Sequence, residues 1–150
     1  MIRGSFTADN IAERLRNYQH PDVDSTKTEV TVEMLGNKQS LLRVELYAKD
    51  DTNIIDGWYM SGKKRPGLLL LVNDFTRNIR VLGIYINKDY RGRGIGTDFI
   101  ACLEGAAIDA KIKSMTLQPD DSNGVASYWQ YKHGFITDAN KPSIMRKRLD

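Results

Sequence analysis

The residues best suited to chemistry lie in one stretch, Ile84-Tyr85-Ile86-Asn87-Lys88-Asp89-Tyr90-Arg91-Gly92-Arg93-Gly94-Ile95-Gly96-Thr97. Glycines at 92, 94 and 96 carry no Cβ, so an anion can approach the backbone closely. If a helix begins near Gly96, its first amides have no partner inside the helix. Those amides and the positive end of the helix dipole form an anion site, to which Arg91 and Arg93 add charge. A pyrophosphate is the natural ligand of such a loop. The plain alternative is a glycine-rich surface turn that binds nothing.

Two other phosphate loops fit less well. The dinucleotide fingerprint needs G-x-G-x-x-G directly after a strand. Here Gly92-x-Gly94 meets Thr97 at the third glycine place, and five residues separate Ile86 from Gly92. The nucleotide loop G-x-x-x-x-G-K-[ST] fits from Gly57 to Lys63, but Lys64 stands where a hydroxyl must hold magnesium. Pro66 opposes a helix just afterwards.

The elements that must position this loop follow from periodicity. Ile2 to Phe6 reads as a short strand, and Thr7 to Asn10 as capping residues for a helix to about Gln19. Val30, Val32 and Met34 alternate with Thr31 and Glu33, and Leu42, Val44, Leu46 and Ala48 continue the period of two across the turn Gly36-Asn37-Lys38. The pair predicts an antiparallel hairpin. Leu68 to Val72 is a further strand, and Ile79 to Ile86 is the central strand that feeds the loop. Phe99, Leu103, Ala107 and Ala110 form the apolar stripe of a helix over 95–110. Met115 and Leu117 mark another strand. A helix from about Val125 to His133 ends at Gly134, its expected C′ glycine. Phe135 to Thr137 and Ser143 to Leu149 are the last strands. The stretch 50–67 is left without a regular element. Its Trp58, Tyr59 and Met60 serve either as edge packing or as a wall of an acceptor pocket.

Bulk properties bound the answer. With 150 residues, a net charge of +3 and no repeat or linker, the chain predicts one domain with a full core. Its longest apolar run, Leu68 to Val72, is far too short for a membrane span, and no signal peptide is expected. The single cysteine, Cys102, excludes an internal disulfide and suits a reducing cytoplasm; it reads as a packed thiol. Two histidines and one cysteine, far apart, predict no metal site. The mild, dispersed positive charge is weak evidence for a nucleic-acid partner.

The loop resembles a known family. Arg91-x-x-Gly94-x-Gly96 matches the [QR]-x-x-G-x-[GA] signature of the GNAT superfamily of N-acetyltransferases. In the fuller pattern, Ile84-x-Ile86-x-Lys88-Asp89-x-Arg91-Gly92-x-Gly94-Ile95-Gly96 departs clearly only at Lys88, where the family has proline. A second family pattern, N-x-x-A-x-x-[FL]-Y-x-K-x-G-F, is similar to Asn123-x-x-Ala126-x-x-Trp129-Gln130-x-Lys132-x-Gly134-Phe135. The resemblance covers residues 79–137 well and both ends loosely.

The resemblance implies a single-domain α/β (α+β) GNAT fold over 1–150. Its mixed central sheet has about seven strands, splayed in the middle and flanked by helices. It implies acetyl-coenzyme A as co-substrate, with no metal. The backbone of Ile84, Tyr85 and Ile86 pairs with the pantetheine amides as an added strand would. The loop Arg91, Gly92, Arg93, Gly94, Ile95, Gly96, Thr97 takes the pyrophosphate. Asn123 reaches the pantetheine arm, and the helix face carrying Asn123, Ala126, Ser127 and Gln130 looks toward the cofactor. A neutral amine attacks the thioester carbonyl, backbone amides hold the oxyanion, and a thiolate leaves. The family's acid is commonly a tyrosine, at the place held here by Gln130, which has no useful proton. Tyr131 is then the candidate acid, with protonation by water left open; Tyr128 is turned still further from Gln130. Glu45 or Glu33 could act as base through water, or be solvated strand charges. The amine acceptor, a small molecule or a protein amine, is not named by the sequence, and a homodimer stays open. Two alternatives remain: a non-enzymatic coenzyme A-binding or regulatory module, and a nucleic-acid-binding domain.

Overall fold

The computed structural model describes residues 6–55, 58–60, 63–65, 68–83, 86–119 and 125–150. The period-two segments become strands. β1 (Glu29–Gly36) and β2 (Gln39–Glu45) form the antiparallel hairpin, with Val30 opposite Val44 and Val32 opposite Leu42. Asn37 and Lys38 join them with φ of 51° and 64°, the paired left-handed residues of a turn that follows strand twist. β5 (Leu68–Asn73) pairs with β2, and β6 (Asn78–Gly83) with β5, both antiparallel. The chain then crosses over through helix α2 (Ile95–Asp109) to β7 (Ser114–Leu117), parallel to β6. Helix α3 (Val125–His133) precedes β8 (Ile136–Thr137), and β9 (Met145–Arg148) inserts between β7 and β8. The main sheet is mixed and seven-stranded, in the order β1-β2-β5-β6-β7-β9-β8.

Alternation sends Leu42, Leu70, Val81, Leu117 and Met145 to one face of the sheet. That face packs against Ile11 and Leu15 of helix α1 (Phe6–Arg16), Phe99 and Leu103 of α2, and Trp129 of α3 in one buried cluster. Burial of these side chains contributes on the order of 1.5–3 kcal/mol each. Their neighbours one residue along, Glu33, Leu41, Leu71, Arg80, Thr116 and Arg146, share a row on the opposite face.

Helix α2 is held at both ends. Arg77, in the β5–β6 turn, donates to the carbonyls of Ala110 and Lys111, placing a positive charge at the helix C-terminus. At the other end, the Tyr18 hydroxyl donates to Asp98 at 2.7 Å, and its ring meets Phe99 edge-on at 5.0 Å. Burial, then the Asp98 carboxylate, push the Tyr18 phenol well above its ordinary range.

Three expectations need comment. The strand at Ile2 to Phe6 lies outside the described residues up to residue 5, and Phe6 itself opens α1. Helix α1 ends at Arg16, not near Gln19, because Asn17 and Tyr18 bond three residues back, to Arg14 and Leu15, in a tightened final turn. The stretch 50–67, expected to be irregular, contains a small separate hairpin, β3 (Trp58–Met60) with β4 (Lys63–Arg65). Before it, Tyr47 bridges Asn53, and Ile55 bridges Ile86.

Lys38 has a Cβ in a left-handed conformation that glycine adopts freely. Lys38→Gly should raise the unfolding free energy by about 0.5–1 kcal/mol. A urea titration checks this: the midpoint should rise with an unchanged slope.

Candidate active site

Gly92 and Gly94 have φ of 78° and 79°. Nothing lies within 4 Å of where a Cβ would project at either, so glycine is needed there for conformation and the space above is open. Gly94 caps α2 without any side-chain hydrogen bond. The first intrahelical bond runs from the Asp98 amide to the Gly94 carbonyl, 2.9 Å. The amides of Ile95, Gly96 and Thr97 therefore have no intrahelical acceptor. Ile95 is buried and pins this turn to the core. Gly96 is different: a Cβ there would meet the Ile86 side chain at 3.3 Å. Its bareness lets helix and strand end pack together.

Both arginines of the loop are engaged. The Arg91 side chain donates from Nε to the Ile86 carbonyl at 2.8 Å. The Arg93 guanidinium sits 4.8 Å from the centre of the Tyr90 ring and 3.8 Å from the Asp22 carboxylate. Asp22 follows α1, and nothing in the sequence signalled that it would reach this loop.

Among the described residues, β6 outruns its pairing with β7. The register of β6 with β7 ends at Val81 opposite Leu117. Leu82, next along, is 43% exposed. Ile86 bridges Ile55 on the other side, and its carbonyl is taken by Arg91. Ile84 and Tyr85 lie outside the described residues, and so does Asn123.

Helix α3 sorts the remaining candidates. Gln130 is exposed, and its carbonyl accepts from the C′ residue Gly134 at 3.0 Å. Tyr131 is 80% exposed, with its ring in solvent. Tyr128, which helix geometry turned away from Gln130, points at α2. Its hydroxyl lies 3.0 Å from Thr97 Oγ1 and 3.0 Å from His133 Nε2. His133 is only 5% exposed. Burial lowers its pKa, opposed by Glu104 and reinforced by Lys147. The spacing of Thr97 from Tyr128 gave no hint of this contact, which depends on where α2 begins relative to α3.

The candidate bases fare differently. Glu33 is exposed on edge strand β1. Glu45 accepts from the Tyr47 hydroxyl at 2.5 Å, a bond that pushes the Tyr47 phenol up to about 12. Of Trp58, Tyr59 and Met60 the backbone forms β3; their side chains lie outside the described residues. Among the described residues no group of histidine, cysteine and carboxylate side chains could hold a metal, and no helix is long and apolar enough to cross a membrane. Cys102 is half-buried, and burial pushes its thiol up.

Residues 15–135 match the family model described as the acetyltransferase (GNAT) family. The fold is similar to solved structures of low sequence identity. An acetyltransferase of the GNAT family from Staphylococcus aureus is 12% identical, with a TM-score of 0.53 over 77% of this chain and 71% of that one. The PaiA N-acetyltransferase from Thermoplasma acidophilum, solved with coenzyme A, is 21% identical, with a TM-score of 0.52 over 72% of this chain and 60% of that one. Nourseothricin acetyltransferase is 14% identical, with a TM-score of 0.50 over 99% and 97%. No curated protein matches the chain.

The buried His133 makes stability depend on pH. Its folded pKa lies below the ordinary value of 6.5. The unfolded chain therefore takes up a proton that the folded chain resists, so stability is full above pH 6.5 and is lost as pH falls through the folded value. The melting temperature should drop across that window, and His133→Gln should flatten this part of the profile relative to the parent.

Proposed function

This chain belongs to the acetyltransferase (GNAT) family and is an acyltransferase, and on that premise we propose that it moves an acetyl group from acetyl-coenzyme A directly to a primary amine. One observation carries the reading. Left-handed Gly92 and Gly94 open helix α2 beside the strand end where β6 has lost β7. Three amides without intrahelical acceptors then face the end of a sheet with a free strand edge, which suits a ligand that is an anion at one end and an extended amide chain at the other.

The residues present fit coenzyme A. Open space above Gly92 and Gly94 leaves room for a pyrophosphate, and the Ile95, Gly96 and Thr97 amides would hold it. Arg91 and Arg93 would add charge, Arg93 by exchanging its contact with Asp22 for the phosphates. Bound there, acetyl-coenzyme A supplies an activated acetyl thioester. By the family resemblance, the backbone of residues 84–86 and the Asn123 side chain would orient the pantetheine arm, and Gln130, exposed on α3, would join them. Orientation of this kind supplies much of the rate in a two-substrate transfer. Gln130 has no proton to give, and the Tyr131 ring stands in solvent. In this reading water protonates the leaving thiolate, and no side chain is the acid. The acceptor is a primary amine on a small molecule or a protein. The lone thiol of Cys102 suits a cytoplasmic setting.

Two measurements test this. Gly94→Glu places a side chain and a negative charge against the phosphates, in a backbone conformation strained for any L residue. Acetyl-coenzyme A should bind at least about tenfold more weakly by calorimetry. Unchanged affinity in a folded variant would sink the cradle. Tyr131→Phe should leave the turnover number within about twofold, measured by release of the coenzyme A thiol across an amine panel. A fall of about a hundredfold would instead make Tyr131 the acid.

A further inference from the structure

Tyr128 and His133 are not accounted for by the loop or by the acyl chemistry. The Tyr128 hydroxyl has one proton and two neighbours at equal distance, Thr97 Oγ1 and His133 Nε2, each 3.0 Å away. It can donate to one of them only. Two arrangements satisfy the geometry. In the first, His133 donates from Nε2 to the phenol oxygen, the phenol donates to Thr97, and the Thr97 proton is left free. In the second, Thr97 donates to the phenol and the phenol donates to His133; the lone pairs of Thr97 then face outward.

Thr97 is the third residue of α2, in the same turn as the amides of Ile95 and Gly96, which have no intrahelical acceptor. An anion held there is repelled by outward lone pairs and attracted by a free hydroxyl proton. It selects the first arrangement. His133 is buried against Trp129 and Tyr128, so its ring cannot swing out to water and change partners. The charged groups that act on it are Glu104 of α2 and Lys147 of β9, which pair with each other at 2.8 Å. We infer that Tyr128, oriented by His133, is a positioning residue of the cofactor site: it holds the Thr97 hydroxyl as a donor toward the phosphates of coenzyme A. This rests on the coenzyme A reading of the loop. It also gives α3 a second task, since the helix thought to face the pantetheine arm then fastens the phosphate end as well.

The test uses the full chain with coenzyme A as probe. Tyr128→Phe keeps the ring packing against Trp129 and removes the hydroxyl. Affinity by calorimetry should fall about fivefold, the scale of one hydrogen bond. Thr97→Val should fall by as much, and the double variant should be no weaker than the weaker single one, because both break the same chain. Equal binding by Tyr128→Phe and the parent, with equal unfolding midpoints, overturns the inference and leaves the cofactor reading intact. A parent chain that does not bind coenzyme A removes both. Nitrogen NMR of the His133 ring in the parent gives an answer that needs no variant to fold. With coenzyme A bound, the proton should sit on Nε2; a proton on Nδ1 alone overturns the inference.

Discussion

The pairing of β6 with β7 is the one parallel contact among the described strands, and it stops after Val81 and Leu117. Both facts are needed. A parallel pair requires a crossover, and the crossover here is α2. A helix that returns antiparallel to its strand starts where the strand ends, so the positive end of its dipole lies at the carboxyl end of β6. The early end of the pairing leaves the last part of that strand open on one side. Had β7 continued alongside, the helix start would stand beside a strand paired on both sides.

What keeps the open strand in place is the other side. The segment after β2 folds back on itself, with Tyr47 against Asn53, and then lays Ile55 against Ile86. Asn87 adds a backbone bond to Ile54 at 2.7 Å. The Arg91 side chain closes over the Ile86 carbonyl, so the loop is tied to the strand that feeds it. Ile86 then fills the space beside Gly96. Strand end, loop and helix start are therefore one packed unit, and a change at Ile86 would be felt at all three.

Much of this was legible in the residues. Strict alternation in Val30, Val32, Leu42 and Val44 fixed the hairpin, since a slip of one residue would turn the whole apolar set to the wrong face. The stripe of Phe99, Leu103 and Ala107 fixed α2, and Gly134 marked the end of α3. The glycines of the loop were read as room for an anion at the backbone; that Gly92 and Gly94 are also left-handed, while Gly96 makes room for Ile86, became visible only in the structure. The hairpin β3–β4 was hidden because Trp58 to Arg65 has no period of two in hydrophobicity. Asp22 and Tyr128 were hidden for a different reason. Each meets the loop across a long separation in sequence, and such contacts are set by the packing of whole elements, which periodicity does not report. The turn of a helix could say that Tyr128 faces away from Gln130; it could not say that α2 is what it faces.

Cys102 carries a consequence for an enzyme whose second product is a thiol. It is the only sulfhydryl in the chain, and it sits on α2, half-buried, with its pKa raised by desolvation. Only the thiolate attacks readily, so desolvation biases this sulfur toward its less reactive form. Half-burial and a raised pKa both act against exchange of this sulfur with thiols or disulfides in its surroundings.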